Sequence, residues 1–306
     1  MSLREIIEKP DLLFPGHSAC PGCPSSLALK IALKALGKNT VLVIPASCSS
    51  VYQGIYPNSA FNVITYNVAF ASAAAVASGI KRALRKKGYE DVNVVVWGGD
   101  GGLVDIGMAT MSGAAERGED LIAICYDNEA YMNTGIQRSG SSPPGAWTTT
   151  TPTGKTEIKK PMPFIMLTHG ARYVATASVG YPIDLYNKVK KAVSLRGQGF
   201  RYIHILAPDP PGWRFDASLT VKLGRLAVET GFWQLWEAEV IDGKIKFRLN
   251  PPSNRLLDPS KRKPLEEFIK PQGRFRVATD FHMQQIRKQM EFYWSLIAAY
   301  LEASKE

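Results

Sequence analysis

Asp100 and Asn128 carry the residue types and the spacing most suited to chemistry in this chain. Asp100 sits in Gly98-Gly99-Asp100-Gly101-Gly102, directly after the apolar run Val92-Asn93-Val94-Val95-Val96-Trp97. Asn128 follows a second run, Leu121-Ile122-Ala123-Ile124-Cys125-Tyr126. A strand that ends in a Gly-rich turn presents backbone N–H groups to a phosphate. A carboxylate and an amide oxygen at the tips of two neighbouring parallel strands can share one hard divalent cation, and Mg²⁺ prefers such oxygen ligands completed by phosphate oxygens. The spacing therefore predicts a diphosphate site with its metal: Asp100, Asn128 and the backbone carbonyl of Ala130 on Mg²⁺, with Gly99, Gly101 and Gly102 letting the backbone approach the diphosphate. Asn133 and Thr134 lie just beyond the metal turn, where they can reach a reactive ring or a substrate.

The cysteines form a second constellation. Cys20 and Cys23 make a Cys-x-x-Cys knuckle, and Cys48 follows in Ala46-Ser47-Cys48-Ser49, after another apolar run. Three thiolates suit Zn²⁺ or an iron–sulfur cluster. Cys125, inside the run before Asn128, reads as a small buried hydrophobe.

These residues need a frame to position them. Apolar runs at 41–46, 61–66, 92–97, 121–126, 173–177 and 202–206 predict strands, several of them covered on both faces. Helical patterns at 24–36, 68–87, 103–117, 182–195 and 218–229 alternate with them. The alternation predicts an α/β fold with a doubly wound, mostly parallel sheet, whose ligands bind outside the carboxyl ends of the strands. The segment between Tyr131 and Pro163 is rich in Thr, Ser, Gly and Pro, and a loop of that length beside the metal motif argues function. Two further runs, 234–240 and 244–249, flank Asp242-Gly243, a hairpin signal. An amphipathic helix at 281–301 closes the chain. We expect a single domain over 1–306, with the cluster cysteines in 14–50 and a C-terminal extension over 231–306.

Composition narrows the function classes. The 306 residues are 45% hydrophobic and 21% charged, ordinary for a globular chain. No apolar stretch reaches the ~20 residues that span a bilayer. The opening Met1-Ser2-Leu3-Arg4-Glu5 begins a charged segment without the apolar core of a signal peptide. A cytoplasmic protein with no membrane partner is expected, in which four cysteines are not structural disulfides. The net charge of +10 fits a solvated basic surface or an acidic partner. No nucleic-acid motif is present.

Gly98-Gly99-Asp100-Gly101-Gly102 followed by Asn128 looks like the thiamine diphosphate motif. With His17-Ser18-Ala19-Cys20-Pro21-Gly22-Cys23, 71–79, 98–107, 126–138, His169-Gly170, 174–178 and 203–208, the chain resembles the β subunit of a pyruvate:ferredoxin oxidoreductase, in the 2-oxoacid:ferredoxin oxidoreductase family, over roughly 14–275. Asn133-Thr134-Gly135-Ile136-Gln137 is similar to the pyruvate branch; branched 2-oxoacids and oxalate stay open as substrates. The resemblance implies thiamine diphosphate, Mg²⁺ and one [4Fe–4S] cluster. It also implies coenzyme A, a 2-oxoacid and ferredoxin, and partner subunits: an α chain carrying the Glu that activates the cofactor, a γ chain and a ferredoxin-like δ chain. It places Ser47 and Cys48 beside the cofactor and gives Asn133 a catalytic part.

One position departs from the family. Where its fourth cluster cysteine follows an Ala-Pro like Ala207-Pro208, this chain has Asp209. Asp209 ligates the fourth iron through oxygen, or the cluster has three irons, or it is absent. We take the first as the expectation, with Cys20, Cys23, Cys48 and Asp209 as ligands. A non-redox thiamine enzyme or a zinc-stabilised scaffold subunit are the competing classes. His17 and His204 are expected to be structural. Lys155, Lys159 and Lys160 read either as steering groups for an anion or as a solvated charge run.

Overall fold

A computed structural model describes residues 3–305; Met1 and Ser2, the head of the charged opening segment, lie outside it. Six strands run parallel: β1 (Thr40–Pro45), β2 (Ile64–Val68), β3 (Asn93–Gly99), β4 (Ile122–Asp127), β5 (Tyr173–Ser178) and β6 (Arg201–Leu206). β7 (Trp236–Ile241) and β8 (Lys244–Leu249) form the expected hairpin, with Asp242 and Gly243 both at positive φ (51° and 75°) in the turn. The hairpin continues the central sheet, since β7 pairs antiparallel with β5. The strand order is β2-β1-β3-β4-β6-β5-β7-β8.

The helices are α1 (Leu3–Ile7), α2 (Pro24–Leu36), α3 (Cys48–Tyr52), α4 (Ala73–Lys86), α5 (Met108–Glu116), α6 (Met162–Thr168), α7 (Pro182–Ser194), α8 (Pro210–Trp213), α9 (Thr220–Glu229), α10 (Glu266–Ile269) and α11 (Asp280–Ala303). Two apolar cores separate the layers. Leu42, Ile44, Val95, Trp97 and Ile124 face α2 and α7 on one side. Val43, Val94, Val96 and Ala123 face α4, α5, α9 and α11 on the other. β1, β3, β4, β5 and β6 are buried along their whole length, or nearly so, which is why they read as unbroken apolar runs rather than alternating ones.

Two elements differ from the sequence expectation for local reasons. The strand expected at 61–66 begins at Ile64, because Phe61 bridges Leu13 and Asn62 N–H donates to Leu12 O. The helix expected over 103–117 is divided: a π-helical segment, Gly101–Ile106, precedes α5, and the two meet at Gly107. A π turn inside a helix is often found at functional sites.

Chain order reverses between β1 and β3: β1 continues to β2 at the sheet edge, and β3 returns to the other side of β1. Open α/β sheets bind ligands in the crevice at such a reversal. Cys48 follows β1 there, and Asp100 follows β3.

Candidate functional site

β3 ends at Gly99 and β4 at Asp127, in adjacent parallel register with Gly99 opposite Tyr126. That register carries Asp100 and Asn128 to one place. Both are buried, Asp100 completely. The Asn128 amide lies 2.9 Å from Asp100 Oδ1 and 3.0 Å from the Ala130 carbonyl. With its nitrogen turned inward, the amide donates to both. With its oxygen turned inward, a carboxylate, an amide oxygen and a carbonyl face one another, and only a cation can satisfy the three. The donor set fits a hard divalent ion. Burial, and then the nearby Asp127 charge, push the Asp100 carboxyl well above its usual range.

A narrow hollow of about 30 Å³ opens beside these groups. Gly99, Gly101 and Gly102 line it with Ser47, Cys48, Asn128, Ala130, Asn133 and Thr134. A Cβ on Gly101 would come within 2.5 Å of the Tyr131 ring, so this position must be glycine for the turn and Tyr131 to meet. Ser47 Oγ lies beside the Tyr126 hydroxyl yet makes no well-formed hydrogen bond. Asn133 is exposed, in a small loop closed by the Tyr131–Gln137 bridge, where Thr134 Oγ1 donates to Gln137 Oε1 at 2.6 Å. Among the residues lining the hollow there is no Asp or Glu.

The support beneath the 127–130 turn was not visible in the sequence. Ser139 Oγ donates to Asp100 Oδ2 at 2.5 Å, and Ser142 Oγ donates to Glu129 O at 2.6 Å. Lys159 Nζ meets Asp127 Oδ2 at 2.5 Å and Glu129 Oε1 at 2.8 Å. Arg274 Nη1 lies 2.7 Å from Glu129 Oε2, and its guanidinium stacks 3.5 Å from the centre of the Trp213 ring. Trp213 Nε1 in turn donates to Asn128 O at 2.8 Å. The Ser- and Gly-rich segment after Tyr131 is thus folded inward, with Ser139, Ser141 and Ser142 fully buried.

This arrangement corrects both readings of the lysines. Lys155 and Lys159 are buried, so they neither steer a diffusing anion nor belong to a solvated face. Lys155 Nζ donates to Ser142 O at 2.7 Å, and its burial lowers its pKa to about 8. Lys160 is half exposed and pairs with Asp105. His204 is structural: it is fully buried, 2.7 Å from Asp127 Oδ2 and 2.6 Å from the Tyr202 hydroxyl, and burial lowers its pKa. His17 Nδ1 accepts Ala19 N–H at 3.4 Å.

The cysteines gather at the same edge of the sheet. Cys20-Pro21-Gly22-Cys23 closes a tight turn, with Cys23 N–H donating to Cys20 O at 3.0 Å and Gly22 at φ 68°. Proline then glycine at the centre is the type II pattern. Cys23 caps α2, Pro24 supplies its first residue, and Cys48 opens α3. Cys48 is pushed up to about 12, first by burial and then by the charges of Asp209, Cys23 and Cys20. Cys23 is raised by burial and by Asp209, and eased by Ser26 N–H. All four sequence-predicted ligands are therefore electrostatic neighbours. Among the described residues, no group of three or more His, Cys, Asp or Glu side chains is placed to hold a metal ion. Asp209 also has a local task. As N-cap of α8, its Oδ1 accepts Gly212 N–H at 3.1 Å, while Oδ2 makes no hydrogen bond among the described residues. Burial raises its pKa to about 6.

Residues 46–205 match the family described as thiamine pyrophosphate enzyme, C-terminal TPP binding domain. The chain is 49% identical over 290 residues to pyruvate synthase subunit PorB of Methanothermobacter thermautotrophicus, covering 93% of this chain and 96% of the relative. The chain belongs to the 2-oxoacid:ferredoxin oxidoreductase family. Within that family it is the β subunit, which carries the thiamine diphosphate domain, and it is one subunit of a larger oxidoreductase. Ketoisovalerate oxidoreductase subunit VorB of Pyrococcus abyssi is 45% identical over 291 residues, covering 92% of this β subunit and 90% of its own length. A solved structure, 2-oxoglutarate:ferredoxin oxidoreductase from Magnetococcus marinus, aligns with a TM-score of 0.55 at 28% identity, over 68% of this β subunit and 77% of that chain. The matched domain contains Asp100, Asn128 and Cys48 but not Cys20, Cys23, Asp209 or Arg274. No helix among the described residues is long and apolar enough to cross a membrane.

Proposed function

We propose that this β subunit, in a cytoplasmic complex with its partners, converts pyruvate, coenzyme A and oxidised ferredoxin into acetyl-CoA, CO₂ and reduced ferredoxin. Asp100, Asn128 and the Ala130 carbonyl hold Mg²⁺, and Gly99, Gly101 and Gly102 admit the diphosphate. The observation that carries this reading is the convergence of the Asp100 carboxylate, the Asn128 amide and the Ala130 carbonyl at the tips of β3 and β4. Bound there, thiamine diphosphate supplies the electron sink that decarboxylation of a 2-oxoacid needs. Ser139 orients Asp100 through its hydroxyl. Ser47, with its hydroxyl unspent at the hollow, is placed to donate to the cofactor. Asn133, exposed at the rim, is the group of this chain best placed to meet the substrate.

Cys20, Cys23, Cys48 and Asp209 would hold one [4Fe–4S] cluster, which supplies one-electron steps toward ferredoxin. Cys48 lines the hollow, and the charges of Asp209, Cys23 and Cys20 act on its thiol, which supports the assignment. The activating Glu must come from the α partner: no carboxylate among the described residues lines the hollow, and Glu129 is locked between Lys159 and Arg274. The isolated subunit should accordingly be inactive. Pyruvate is favoured by 133–137 and by the name of the Methanothermobacter relative.

The test is anaerobic purification with co-expressed partners, then turnover on pyruvate and on 2-oxoisovalerate, with iron, sulfide and zinc analysis and electron paramagnetic resonance. Faster turnover on pyruvate, with about four irons per β subunit after subtracting those on partner chains, is the expected result. Zinc without iron, or activity in the lone subunit, would overturn it. Asp209→Ala leaving iron content and spectra unchanged would remove Asp209 from the cluster.

A further inference from the structure

We propose that Glu129 is a positioning residue for the diphosphate-bound metal, and that Arg274, from outside the matched cofactor domain, locks it in place. This rests on the functional reading above and goes beyond it, because neither residue belongs to the ligand set. Glu129 stands between the two proposed ligands, Asn128 and Ala130. Its backbone is left-handed, at φ 63°. A non-glycine residue there is strained, and such strain persists only where the surroundings over-determine it. Here the backbone is held at both ends and the carboxylate is paired with two cations. Its N–H donates to Asp127 Oδ1 at 3.0 Å, and its carbonyl accepts from Ser142 Oγ at 2.6 Å. Its carboxylate is fully buried between Lys159 and Arg274, which are themselves almost wholly buried.

The anchors come from distant parts of the chain. Lys159 is fixed by α11, whose Gln289 Oε1 accepts the Lys159 N–H at 2.8 Å while the Tyr293 hydroxyl donates to Lys159 O at 2.9 Å. Arg274 touches the turn twice: directly at Glu129, and through Trp213, whose indole N–H holds Asn128 O. The αL bend turns the Asn128 side chain and the Ala130 carbonyl toward Asp100 together. Without the clamp, the bend relaxes to an unstrained conformation and the three oxygens separate. Glu129 thus acts on cofactor affinity rather than on chemistry.

The experiment uses the complex with partner subunits, stripped of metal and cofactor by EDTA, and measures Mg²⁺–thiamine diphosphate binding by titration calorimetry. Glu129→Gln is expected to raise Kd about tenfold or more, since it removes the charge-assisted hydrogen bond to Lys159 and the charge that pairs with Arg274. Turnover at saturating cofactor should stay within about threefold. Arg274→Lys, which keeps the charge but loses the fork and the stacking, should fall between Glu129→Gln and wild type. A role confined to stability would lower Tm and leave Kd unchanged, so a folded Glu129→Gln complex with wild-type Kd overturns the proposal. If neither charge variant folds, Ser142→Ala decides: it removes one hydrogen bond to Glu129, and a Kd raised about threefold or more supports positioning, while an unchanged Kd overturns it. A wild-type complex that takes up no Mg²⁺–thiamine diphosphate would overturn the functional reading itself.

Discussion

Asp100→Asn should separate what the site costs the fold from what it gives the cofactor. The Asp100 carboxyl has no exposure, and among the described residues its side-chain hydrogen-bond donors are the Ser139 hydroxyl and, in one orientation, the Asn128 amide. Burying an ionised carboxylate costs several kcal/mol. Neutralising it recovers that, less about 1 kcal/mol for each of the two hydrogen bonds that lose their charge assistance. The metal-free variant should therefore be no less stable than wild type, and up to about 2 kcal/mol more stable. At ~2.1 cal/mol/K per residue, unfolding 306 residues carries an entropy of ~0.64 kcal/mol/K, so the gain is at most ~3 °C in Tm. The response to ligand should run the other way. Mg²⁺–thiamine diphosphate at a hundredfold excess over Kd stabilises wild type by ~2.7 kcal/mol, or ~4 °C. The variant, lacking the anionic oxygen, should show no such shift. Differential scanning calorimetry of the complex, with and without Mg²⁺ and cofactor, reads both effects. A metal-free variant that melts more than about 2 °C below wild type, or a variant that keeps the ligand-induced shift, would refute the reasoning. The first result would make Asp100 structural, and the second would remove it from the metal.

Two other outcomes follow from the buried charges. Lys159→Met leaves Asp127 and Glu129 short of a buried cation, so it should destabilise the chain by about 3–5 kcal/mol, or ~5–8 °C, with much of the loss recovered on adding Glu129→Gln; additive losses in thermal melts would contradict the pairing. Asp120 gives a pH dependence. Burial pushes its carboxyl up, but Arg201, the Gly197 N–H at 2.9 Å and Lys81 at 3.1 Å together hold it below its ordinary value. A carboxylate with a depressed folded pKa contributes stability above its unfolded value of ~3.9, and that stability is lost as pH falls through the folded value. Asp120→Asn should thus melt well below wild type at pH 7, with the gap closing below about pH 4; a gap independent of pH would show that the ion pairs contribute nothing.

The meeting of Asp100 and Asn128 was legible in the sequence because the parts are local. Gly-Asp-Gly at one strand end and Asn at the next need only parallel neighbours to meet, and unbroken apolar runs predict such neighbours. The knuckle at Cys20–Cys23 and the proline-led start of α2 are local for the same reason. What holds the 127–130 turn is not local. Ser139, Lys159, Trp213 and Arg274 reach Asp100, Asn128 and Glu129 across as many as 145 residues of chain. Nothing in a lysine's neighbours along the sequence tells whether carboxylates from elsewhere will bury it, so Lys155 and Lys159 read as surface charge until the fold paired or enclosed them. The hairpin shows the same division: Asp242-Gly243 fixes the turn through two positive φ angles, while pairing with β5 was decided by which sheet edge remained open. Backbone preference and strand periodicity act over a few residues and can be read in order. Burial of charge and choice of strand partner are settled only when distant segments compete for the same space.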